Sequence, residues 1–249
     1  MMFFFKKKEI VVDCFTYHHS VYEYYRPLNA NNFIPDGWKK LPKRLEIKTF
    51  PNVPSSKLMT EAATAKTCLG FINLFRSGFI IQNHCEIAIE SDEAGNINVD
   101  SLDRSSSFVS QHSPEQVWDG FFTNHAHIKL IVPWFVKEKT GVNFLYSKCT
   151  WNDTNMADNF HVVSGILDFK LQHNISVNFF MKKNSIVRFY AGQPLAHVIP
   201  LSEHKVKMKH HLISRQEYET RFSFIPATRL YSEFKRIKTK KECPFGFGK

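Results

Sequence analysis

Glycine is scarce, at 10 of 249 residues, and the glycine-dependent nucleotide motifs are missing with it. There is no G-x-x-x-x-G-K-S/T phosphate loop and no G-x-G-x-x-G fingerprint, and H-E-x-x-H and G-x-S-x-G are absent too. The common nucleotide-fold, metalloprotease and hydrolase chemistries therefore have no support in the sequence. No apolar run approaches the roughly 18 residues that span a bilayer, so no membrane helix is predicted. Cysteine is sparse and unpaired. Cys14, Cys68, Cys85, Cys149 and Cys243 are odd in number and never form C-x-x-C, which argues against a zinc knuckle or a disulfide framework and fits a reducing compartment. The N-terminal Met1 to Phe5 precedes Lys6, Lys7 and Lys8, the reverse of a secretion signal, so export by that route is not expected.

What the chain has is aromatic bulk and positive charge. Hydrophobic residues make up 43%, with 24 Phe, enough to fill one large core, so residues 1–249 are read as a single domain. The net charge is +10, and residues 201–249 hold twelve Lys and Arg against five Glu, a surplus of seven. Such a chain is drawn to polyanions.

Residues 1–57 include five prolines between Arg26 and Ser56, together with a Pro35-Asp36-Gly37 turn, and read as a wrapping segment anchored by Phe33 and Trp38. Apolar spacing after Thr60 predicts a core-facing helix near 60–77, stopped by Gly78. Alternating apolar residues place strands at Ile10–Tyr25, Phe79–Ile89, His127–Val132, Gly141–Tyr146, Phe160–Asp168, Ile175–Phe180, Ile186–Tyr190 and Leu195–Pro200, with a hairpin turn at Glu93–Asn96. Ser214-Arg215-Gln216-Glu217 has capping-box spacing, and residues 201–249 read as a basic helical extension. The predicted class is mainly β (α+β), an antiparallel sandwich or a β-clip-like barrel.

His125 and His127 share one face of a strand and, with His197, form a candidate metal set. The set resembles the cupin arrangement of H-x-H, glutamate and a later histidine, although Glu138 falls eleven residues after His127. Lys205, Lys207, Lys209, Lys235, Arg236, Lys238, Lys240 and Lys241 are the candidate nucleic-acid contacts. No cofactor is assigned.

Ser164-Gly165-Ile166-Leu167-Asp168, followed by a strand and then by Gly192-Gln193-Pro194-Leu195-Ala196-His197-Val198, resembles two motifs of the dUTPase and dCTP deaminase superfamily of trimeric β-clip barrels. That resemblance implies Asp168 as a water-polarising general base. The chain departs from the family at Phe169-Lys170-Leu171 and lacks its phosphate-binding R-S-S near Phe144-Leu145-Tyr146-Ser147. A wider likeness rests on Trp38-Lys39-Lys40-Leu41-Pro42, on Cys68 to Ile80 and on the half from Ser164 to Pro200. There the chain is similar to a family of uncharacterised tailed-phage and bacterial proteins, in which glutamine is common at the position of His197.

Three readings follow. The first is a phage-encoded, non-catalytic binding or assembly protein of the host cytoplasm or virion, forming a homo-oligomer. The second is an enzyme acting on a nucleotide or small molecule through Asp168 or a histidine-held metal. The third is a nucleic-acid binder using its basic C-terminal region.

Overall fold

The computed structural model describes residues 9–46, 61–101, 108–113, 116, 124–149, 151 and 159–222. Its elements run β1 (Glu9–Thr16), α1 (His19–Tyr24), β2 (Leu28–Asn29), α2 (Asp36–Lys40), β3 (Arg44–Glu46), β4 (Glu61–Ala63), α3 (Leu69–Arg76), β5 (Phe79–Gln82), β6 (Ile87–Ser91), β7 (Ile97–Ser101) and β8 (Val109–His112). The second half continues with β9 (His125–Glu138), β10 (Asn143–Ser147), β11 (Phe160–Val162), β12 (Gly165–Asp168), β13 (Asn174–Lys182), β14 (Ser185–Phe189), β15 (Pro194–Pro200), β16 (Lys205–Leu212) and α4 (Arg215–Arg221). None of these helices is long and apolar enough to cross a membrane.

The 14-residue strand β9 organises the fold. Ala126, Ile128, Leu130, Val132, Trp134 and Val136 are buried at every second position, the signature of a strand with one face in a core. The largest sheet has the order β11-β13-β9-β1-β16, and β8 also pairs with β9. A second sheet has the order β12-β10-β15-β5-β2, a third β14-β6-β7, and β3 pairs with β4. Pairing is antiparallel except between β1 and β16, which run parallel from Glu9 opposite Lys205 to Thr16 opposite Leu212. That pairing ties the two ends of the described chain into one sheet.

One continuous core joins the inner face of the large sheet (Val12, Leu130, Phe179) to the second sheet (Phe79, Phe144) and the third (Phe189). The back of the second sheet carries a smaller aromatic layer. There Phe75 of α3 meets Trp38 at 5.0 Å and Trp151 at 5.5 Å, while Phe33 packs on Ile80 and Ala30.

The architecture is thus mainly β, and of the two forms predicted it takes the sandwich; the described strands form open sheets, with no closed barrel. The helix expected near 60–77 begins only at Leu69. The Thr64 hydroxyl accepts from the Lys66 N–H and holds residues 65–67 in a tight 3-10 turn, after a short strand at β4. Within α3 only Phe75 is fully buried, with Leu69 72% exposed. The strand expected at Ile10–Tyr25 ends at Thr16 and gives way to α1, and Pro35 precedes the short helix α2 instead of a turn. The basic extension is not wholly helical: residues 205–212 form β16, because period-two alternation buries part of Val206 and Met208 while turning the lysines out.

Candidate functional site

Each predicted catalytic or metal-binding side chain is held by a structural bond. Asp168 lies at the end of β12, half-buried, and its Oδ1 accepts from the Lys170 N–H at 2.9 Å. Its carbonyl accepts from the Leu171 and Gln172 N–H groups, so the residue closes the turn into β13. His197 lies on β15 in the second sheet and is fully buried. Its Nε2–H donates to the Ser77 carbonyl at 2.6 Å, and its ring meets Trp151 edge-on at 5.2 Å. Burial lowers its pKa against the pull of that hydrogen bond, and the ring is held neutral.

His125 and His127 lie on the outer face of β9, in the first sheet. The structure therefore does not gather His125, His127 and His197 into one site, and among the described residues no group of three His, Cys, Asp or Glu side chains is arranged to hold a metal. Glu138 has a different task. Only 1% exposed, its carboxylate accepts from the N–H groups of Thr140 (2.6 Å), Gly141 (2.8 Å) and Val142 (3.3 Å). Burial pushes its pKa up, but these donors outweigh burial and hold it below the usual carboxylate range. Gly141, at φ +75°, supplies the left-handed bend that lets three successive amides converge.

The functional character gathers on the outer face of the large sheet. Alternation aims Lys205, Lys207, Lys209 and His211 of β16 to one side, and the three lysines are exposed. The strand register extends this into rows. Lys209 and Lys137 flank Asp13 on β1, whereas His211 and Phe135 flank Phe15. The first row is polar and basic. The second is covered by α4, whose Tyr218 and Phe222 lie 4.6 and 4.5 Å from Phe135. The Ser214 hydroxyl caps this helix by accepting from the Glu217 N–H at 3.1 Å.

Two acids temper the basic face. Glu9 sits 4.0 Å from Lys207, and Asp13 accepts from His211 Nε2 at 2.8 Å while that ring stacks on Phe15 at 4.6 Å. Six lysines (Lys129, Lys137, Lys182, Lys205, Lys207 and Lys209) share the face with these two carboxylates. Lys235, Arg236, Lys238, Lys240 and Lys241 lie outside the described residues.

Sequence reasoning missed His112, placed in a serine-rich loop. It lies on β8 directly opposite His127, and the two Nδ1 atoms are 3.0 Å apart. Phe180 of β13 stacks on His127 at 4.8 Å, and His161 of β11 lies opposite Phe180, so one row of aromatic rings crosses four strands. Only the strand register reveals it. Burial, with a smaller push from His112, lowers the His127 pKa to about 4. No family model matches the chain, and no curated protein does either.

Proposed function

We propose that the chain is a non-catalytic binding protein whose basic sheet face, centred on β16, contacts an extended polyanion, with nucleic acid the favoured ligand. One observation carries this reading: Lys205, Lys207 and Lys209 stand exposed on a single side of an edge strand, about 6.8 Å apart at two residues per step. That spacing suits successive phosphates along an extended single strand. Lys137, across Asp13 from Lys209, broadens the charged row into the sheet. Lysines on an edge strand also discourage pairing with a second chain, which favours a ligand over self-association along this edge.

The same reading gives Asp168 and His197 structural duties, because each spends its polar atoms on the local backbone. The likeness to tailed-phage proteins supplies the proposed setting: host cytoplasm or virion, with self-association elsewhere on the molecule. Light scattering of the purified chain and its presence in purified particles test that setting.

The binding test is fluorescence anisotropy with a labelled single-stranded oligonucleotide at low salt. The triple variant K205Q/K207Q/K209Q should bind at least about tenfold more weakly than the parent. Equal affinity, or no binding by the parent chain, would remove the proposal.

A further inference from the structure

We propose that His112 and His127 form a two-imidazole site for a divalent transition ion of square-planar or octahedral preference, Cu(II) or Ni(II). The argument is geometric. The two Nδ1 atoms face each other at 3.0 Å from directly opposed positions of β8 and β9, so the sheet presets their separation. With metal–nitrogen bonds of about 2.05 Å, a 3.0 Å separation subtends about 94° at the ion. A tetrahedral ion would need the nitrogens about 3.3 Å apart, whereas adjacent corners of a square or octahedron need about 2.9 Å.

The surroundings favour Nδ1 ligation. Phe180 stacks on the His127 ring at an interplanar angle of 27° and fixes its plane. His127 Nε2 is buried without a hydrogen-bond partner, leaving Nδ1 as the nitrogen that faces a donor set. Burial also keeps both rings in the neutral, ligating form near neutral pH. His125, two residues along the same face, turns to His161 at 6.1 Å, so the protein supplies two ligands and water completes the shell. Lys129 lies beside the pair and repels a cation, which sets the affinity in the micromolar range. Without metal, the same geometry is a hydrogen bond in which one Nδ1–H donates to the other Nδ1.

Calorimetry of the full-length, metal-stripped chain with NiCl2 tests the site. The expected result is one Ni(II) per chain, bound at least about tenfold more weakly by H112Q and by H127Q and unchanged in H19Q, an exposed histidine of α1. Zn(II) should bind no more tightly than Ni(II). Because a glutamine variant can alter folding, pulsed EPR of Cu(II) on the unmodified chain provides a second reading and should count two equatorial imidazoles. Absence of saturable binding, parental affinity in H112Q, tighter Zn(II) or fewer than two imidazoles would each overturn the proposal.

Discussion

Glu138 shows how a buried charge becomes a structural part. Its carboxylate is solvated by three backbone amides in place of water, and the β9 to β10 connection depends on it. Glu138→Gln replaces an acceptor with an NH2 group facing N–H donors. Chemical denaturation should register a loss of about 2 kcal/mol, and an unchanged midpoint would contradict this role. His197 gives a sharper contrast. A glutamine amide can make the same donation to Ser77, so His197→Gln should fold nearly as the parent does, whereas His197→Ala leaves a cavity and an unpaired carbonyl and should cost about 3 kcal/mol in the same assay. His127 ties the fold to pH. Its pKa is about 4 in the folded chain against 6.5 for a free imidazole, so the unfolded state binds the proton first. Its stabilising contribution is complete above pH 6.5 and drains away as pH falls from there toward 4. His112, His125, His173 and His210, all shifted downward, add to the same trend. The unfolding temperature should therefore drop between about pH 7 and 5; a flat profile would contradict the assignment.

At the scale of elements, two turns decide how the sheets are joined. Gly78, between α3 and β5, adopts φ +69°, and a Cβ there would lie 1.9 Å from the Val198 carbonyl oxygen. Neither atom can yield, since both belong to backbone. Gly78→Ala should cost about 3 kcal/mol or more, read as loss of soluble folded protein or a large fall in unfolding temperature. The sequence already marked this glycine as the end of a helix, and it marked Ser214 as the start of another. Both were legible because caps and stops are local chemistry. The start of α3 was not, because Thr64 can cap a 3-10 turn as readily as an α-helix. β16 was misread for a different reason. Its lysines suggested a solvated helical face, although the alternation of Lys205, Val206, Lys207, Met208 and Lys209 has the period of a strand.

At the scale of the whole molecule, the arrangement of the sheets makes one outer face basic while Phe179, Trp134 and their neighbours fill the interior. The strand content of the second half was legible from alternation, since burial imposes a period that composition alone cannot hide. The candidate surface was only half legible. Lys205, Lys207 and Lys209 stood out by charge, but their alignment with Lys137 and the meeting of His112 with His127 depend on pairings between segments far apart in sequence. The central claim, that this face binds a polyanion through those lysines, is tested most directly by the slope of log affinity against log salt for a single-stranded oligonucleotide. For the unmodified chain the slope should be steep, and K205Q/K207Q/K209Q should flatten it by about 2, at roughly 0.7 for each phosphate that the variant leaves unneutralised. Identical slopes for the two proteins would contradict the account.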